Sequence, residues 1–171
     1  MINTVSLIRS PIPLAEALLE TLEQEQEGFV CLRDQFGQQL QALRDQQAAQ
    51  LQRVTRRVGE ETNLLDHLRR VREQQMRRLG RALGNEAGDV LSLKDLAERL
   101  SGISGGSGVS QRLLEARAGI IEEAERAQQR REELAFAVEY AVKLGREMLH
   151  VLKNLDVPPP TRLYTADGGA A

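Results

Sequence analysis

Tryptophan is missing from this 171-residue chain, and phenylalanine and tyrosine number three and two. Aromatic side chains carry the largest buried areas, so any core here is aliphatic and thin. Proline is absent from residue 14 to residue 157, so no helix between them meets the ring clash and lost N–H that break helices. Cys31 is the only cysteine, which excludes an intrachain disulfide and suits a reducing compartment. With two histidines, His67 and His150, no nucleophile–base set can be assembled, and the expectation is a chain without catalysis and without a cofactor. No stretch of 18 apolar residues occurs, and Met1 to Pro13 lacks a charged region followed by an apolar one. The expectation is therefore a soluble cytoplasmic protein with neither membrane span nor signal peptide. A net charge of −2 argues against nucleic acid as a partner through bulk electrostatics.

What is present is helix-forming. Alanine, glutamate, leucine, lysine and arginine account for 85 of the residues, a composition typical of coiled coils and long helices. Between Ser110 and Leu155 the residues Leu113, Ile120, Ala127, Leu134, Ala141, Met148 and Leu155 recur every seven positions. Ala124, Val138, Gly145 and Leu152 form a second row four residues after members of the first. This is the a/d pattern of a long helix packed along its length, and at 1.5 Å per residue it would be about 68 Å long. Arg117 and Arg131 interrupt the second row; arginine can lay its stem on apolar surface and keep its head wet.

Ahead of that helix, Pro11 and Pro13 mark a helix entry. Apolar residues then follow at helical spacing from Leu14 to Leu43 and from Leu51 to Leu83, and Gly84 reads as a C-terminal stop. From Leu14 to Asp45 there are seven acids and two arginines, whereas from Arg53 to Gly84 there are nine arginines and four acids. Folding the chain back at Asp45, which could cap a new helix, sets Glu16–Glu27 beside Arg69, Arg70 and Arg72. Each exposed pair is worth only about 0–1 kcal/mol, but the arrangement selects direction and favours a hairpin over the alternative, one continuous or kinked helix across residues 14–84. Leu93, Leu96, Ala97 and Leu100 share one side of a short helix, and Ser101 to Val109 reads as a flexible serine/glycine linker. The predicted architecture is all-α: an elongated antiparallel helical bundle or coiled coil of three long helices plus one short helix. Residues 1–155 would form a single domain with helices at about 12–44, 46–84, 92–101 and 110–155, and residues 156–171 a flexible proline-rich tail.

Several motifs suggest chemistry and do not sustain it. Glu147 and His150 have the Glu-x-x-His spacing of di-iron bundles, but no second such pair exists, and they flank the Met148 position of the apolar row. Gly102 to Gly108 has neither a preceding strand nor a following Gly-Lys-Ser/Thr, so it is not a phosphate loop. The arginines from Arg53 to Arg81 lack interleaved aromatics and have neutralising acids nearby. No metal is expected. What remains is surface made for protein. Leu114, Ile121, Ala135, Val142 and Leu149 widen the last helix's stripe beyond two rows. Either that helix packs on both helices of the hairpin at once, or part of the stripe stays open as a groove for a partner helix. Val138, Val142, Leu149 and Leu152 are the candidate binding residues.

The order of segments resembles the FlgN-type flagellar export chaperones. The likeness lies in the Leu18–Leu22 start followed by Glu23-Gln24-Glu25-Gln26, in the break at Gln41-Ala42-Leu43-Arg44-Asp45, and in the Arg72–Gly80 stretch closing with Leu79-Gly80. It continues through Leu152–Leu155 to the tail Tyr164-Thr165-Ala166-Asp167-Gly168. One departure is the asparagine pattern of the family's last helix, where Arg131, Glu132 and Ala135 stand here. The resemblance implies a cytoplasmic chaperone that binds amphipathic helical segments of hook-associated, hook–filament junction proteins, prevents their premature assembly and delivers them to an export gate component. It also implies that Tyr164 in the tail contacts that gate. A structural coiled-coil scaffold or export-apparatus stalk is the alternative, and a homodimer is compatible with either.

Overall fold

The computed structural model describes residues 10–85 and 90–154. They form four helices and, among the described residues, no strand: α1 (Pro11–Arg44), α2 (Ala48–Ala82), α3 (Leu93–Ser101) and α4 (Ser107–Asn154). Two compact units divide the chain, Met1–Leu134 and Ala135–Ala171.

Helix ends follow from local chemistry. α1 opens on Pro11, where the missing N–H would have no partner in any case. Its exit is a Schellman turn: the Gln47 N–H reaches the Ala42 carbonyl at 2.9 Å and the Gln46 N–H reaches Leu43 at 3.3 Å. The left-handed position of that turn falls on Gln46, with φ at 55°, rather than on glycine. Asp45 was expected to cap the second helix. Instead it closes the first, and its carboxylate accepts from Gln41 Nε2 at 2.9 Å. α2 ends in the same motif with glycine in place: Asn85 N–H to Gly80 O at 2.9 Å, Gly84 N–H to Arg81 O at 3.1 Å, and Gly84 at φ 81°. α3 starts with a capping box in which the Asp95 N–H donates to Ser92 Oγ and the Ser92 N–H donates back to the Asp95 carboxylate. That reciprocal bonding, with Ser92 Oγ also donating at 2.6 Å, holds the Asp95 pKa below the ordinary carboxylate value.

The serine/glycine segment is not a loose linker. Ile103 N–H bonds Leu100 O at 3.0 Å, Gly106 N–H bonds Ile103 O at 2.9 Å, and α4 begins at Ser107, inside the expected loop. A β-carbon on Gly106 would lie 2.0 Å from the Leu100 carbonyl oxygen. Gly106 is there for close backbone approach and Gly105 for its left-handed φ of 79°, uses that composition alone does not separate from flexibility.

The first unit is built on the α1–α2 hairpin. Gln39 Nε2 donates to Thr55 Oγ1 at 2.8 Å near the turn, and Gln75 Nε2 donates to Ala17 O at 3.2 Å near the other end. Of the three arginines set against the acids of α1, Arg72 crosses to Glu25, whereas Arg70 pairs with Asp66 and Arg69 with Glu73 within α2. At Gly28 of α1 the Leu65 side chain of α2 takes the place of a side chain; a β-carbon there would meet Leu65 Cδ2 at 2.6 Å. Leu18, Leu22, Leu79, Leu96, Leu100 and Leu113 are fully buried in one cluster joining all four helices. Each such leucine is worth about 1.5–3 kcal/mol. α4 runs parallel to α1 there, with Arg112 3.7 Å from Glu23 and Arg33 2.7 Å from Glu123. Ser110 Oγ, buried, donates to Ala97 O at 2.6 Å and ties α4 to α3.

Leu18 and Leu22 pack with Val109, Leu113 and Ala116 at the start of α4. A seven-residue row looks alike at every level, so its spacing cannot say which member meets which leucine. Leu96 and Leu100, brought in by α3, set the level.

A candidate client-binding face on the last helix

Periodicity predicts a core row along all of α4, and the structure keeps that row only in part. Leu113 and Ala127 are buried, and Ile120 and Leu134 are half-buried. Beyond them the covering stops. From Ala135 to Lys153 every side chain is exposed except Ala137, which is half-buried. Ala141 and Met148, expected as core, stand in water, Met148 at 58% exposure. The reading in which the whole stripe is buried is thereby corrected: burial of the row ends at Leu134.

The exposed segment is apolar over most of its circumference. At 100° per residue, the residues from Tyr140 through Val151, Leu144, Met148, Ala141, Leu152, Val138 and Leu149 to Val142 sweep an arc of about 200°. A helix packed on one core needs an arc of about 100°. The remaining sector carries Glu139, Lys143, Arg146, Glu147, His150 and Lys153, three cations and two carboxylates besides the histidine. Phe136, at 73% the most exposed large apolar side chain among the described residues, falls inside that sector between Lys143 and Glu147.

Val138, Val142, Leu149 and Leu152 are all exposed and fall within about 80° of one another at helical spacing. They occupy one half of the arc. The other half, Tyr140, Leu144, Met148 and Val151, was missed. Met148 had been assigned to the core row; the signal that distinguishes it is the width of the apolar sector after Leu134, too wide for the helices available to cover it. Tyr164, the expected gate contact, lies outside the described residues.

The remaining candidates resolve simply. Glu147 and His150 are exposed on the polar sector, and among the described residues no cluster of three His, Cys, Asp or Glu side chains is placed to hold a metal. Among those residues, too, no helix is long and apolar enough to cross a membrane. Cys31 is half-buried and accepts from Gln35 Nε2 at 3.2 Å; burial and the neighbouring Glu61 push its thiol pKa up, away from reactivity. The arginines of α2 remain a mostly exposed face.

Comparison with protein families places residues 12–171 within the model of the FlgN protein family. No curated protein and no solved structure matches the chain.

Proposed function

The chain belongs to the FlgN family, a family of flagellar export chaperones, and from that premise we propose that the exposed end of α4 is its client seat. The client is a hook–filament junction protein, and what it supplies is an amphipathic helix. The observation that carries this is the apolar arc of about 200° between Ala135 and Lys153. An arc so wide is satisfied by helices lying on two sides of it, as in helix-in-groove recognition. Covering it in the cytoplasm would mask the client's own assembly surface until export. Residues 156–171, with Tyr164, present the loaded complex to the export gate, so client and gate use different parts of the chain.

Mass in solution tests this reading. The full chain mixed with a purified hook–filament junction protein is expected to give a complex of defined stoichiometry, and any self-association of the chaperone is expected to disappear. A chain that assembles with itself through the same arc and ignores the junction protein would be a scaffold, and the proposal would fail.

A further inference from the structure

The side chains of α1, α2, α3 and α4 leave two apolar hollows in the first unit. One, of about 330 Å³, is lined by Met76, Leu93, Ile120 and Ile121 with Arg117 at its edge. The other, of about 460 Å³, is lined by Phe29, Leu32, Leu65 and Ile120 with Glu25. They share Ile120 and Arg72. Their α2 linings are centred about seven residues, roughly 10 Å, apart, which is the spacing of side chains i and i+7 on a helix. α3 fills the near end of the same cleft, its Leu96 and Leu100 packing with Met76, Leu79 and Leu113. A second helix laid end to end with α3 would continue the layer that α3 begins.

Two polar groups describe that helix. Glu25 is 2% exposed and bonds Arg72 through one carboxylate oxygen, while its Oε1, also buried, has no hydrogen-bond partner. Arg69, Arg70 and Arg72 each have an acid within the chain, whereas Arg117 has no ion-pair partner among the described residues. Ile121 beside it remains 42% exposed.

We infer that this cleft is a second seat for the exported client, taking an amphipathic helix with two apolar side chains seven positions apart, a carboxylate over Arg117 and a hydrogen-bond donor toward Glu25. The inference rests on the chaperone reading of α4 and adds a contact in the other unit. A client gripped at both places is released by loss of either, since two linked sites reinforce one another without new contacts.

The test uses the full chain with Cys31→Ala and a polarity-sensitive fluorophore at either Ile121→Cys or Leu149→Cys, titrated with a purified hook–filament junction protein. Both labels are expected to shift at the same concentration. Without label, Ile121→Asp is expected to raise Kd about tenfold or more, and Arg117→Glu several-fold, with helical content and thermal midpoint kept. A response at 149 without one at 121 overturns the cleft and leaves the chaperone reading standing. Silence at both positions overturns both. A label at 121 that is already shielded in the free chain and becomes exposed on dilution makes a second copy the occupant; shielding that is independent of concentration makes a segment of the chain itself the occupant. Either result overturns the inference, as does an Ile121→Asp variant that folds and binds as tightly as the parent.

Discussion

Leu149→Asp separates binding from folding, and its magnitudes can be worked from the structure. Leu149 keeps 59% of its surface in water, so replacing it removes little packing from the free chain. The cost is the poorer helix propensity of aspartate, about 0.5 kcal/mol, which lowers Tm by about 1–2 °C in a chain of this size. In the complex the same leucine is covered. Burying its free portion is worth about 1–2 kcal/mol, a loss of about 5–30-fold in affinity, and an unpaired carboxylate in the interface raises that further. Leu79→Ala is the counterpart. Leu79 is fully buried, so its truncation costs about 2–5 kcal/mol of stability without touching the α4 face. Thermal unfolding by circular dichroism and titration with a junction protein measure the two axes. The reasoning is refuted if Leu149→Asp melts α4 at the temperature where Leu79→Ala unfolds the chain, or if it binds as tightly as the parent.

Three further outcomes follow from the geometry. Gln46→Gly relieves a left-handed conformation that costs a side chain about 1 kcal/mol, so it is expected to stabilise the chain by up to about that much; an unchanged or lower urea midpoint would contradict the Schellman reading of the α1–α2 turn. Burial outweighs Arg72 and Arg69 in setting the Glu25 pKa above its ordinary 4.5. A raised folded-state pKa gives stability that is complete below the unfolded value and is lost as pH rises through the folded one. The parent should therefore lose urea stability relative to Glu25→Gln as pH rises from about 4.5, and a difference that stays flat or grows in the parent's favour would show that the ion pair dominates. Tyr164→Ala is expected to leave client affinity and thermal midpoint unchanged while reducing secretion of the client; equal loss of binding would place the tail in the client site.

The helices were legible because their signals are local. Pro11 at an entry and Gly84 at an exit each act within a few residues, and the sign change of charge between the first and second segments pointed to a hairpin that Glu25 and Arg72 bridge. Less legible was anything depending on which surfaces meet. The heptad row of α4 reads the same at Leu113 and at Met148, yet one is fully buried and the other mostly wet. Only the supply of partner surface at each level decides between them, and a heptad row carries no record of it. The α1 exit was legible at Arg44–Asp45, but its left-handed residue was not: the turn wants glycine, and its hydrogen bonds hold Gln46 there instead. The glycines at 105 and 106 had the composition of a linker and the function of a tight joint.

The bare end of α4 also bears on how long the protein lasts in a cell. A helical segment of about 20 residues without tertiary cover is close to the limit of independent helix stability and opens locally at small free-energy cost. Proteases act on the open form, so in a chain without client the segment from Ala135 to Lys153 is the place for the first cut. A client bound across it lowers the open population in proportion to its own free concentration over Kd. Degradation of the chaperone would then be slowest when client is plentiful and fastest once the supply has been exported. Chaperone level would follow cargo level through proteolysis alone, with no change in synthesis.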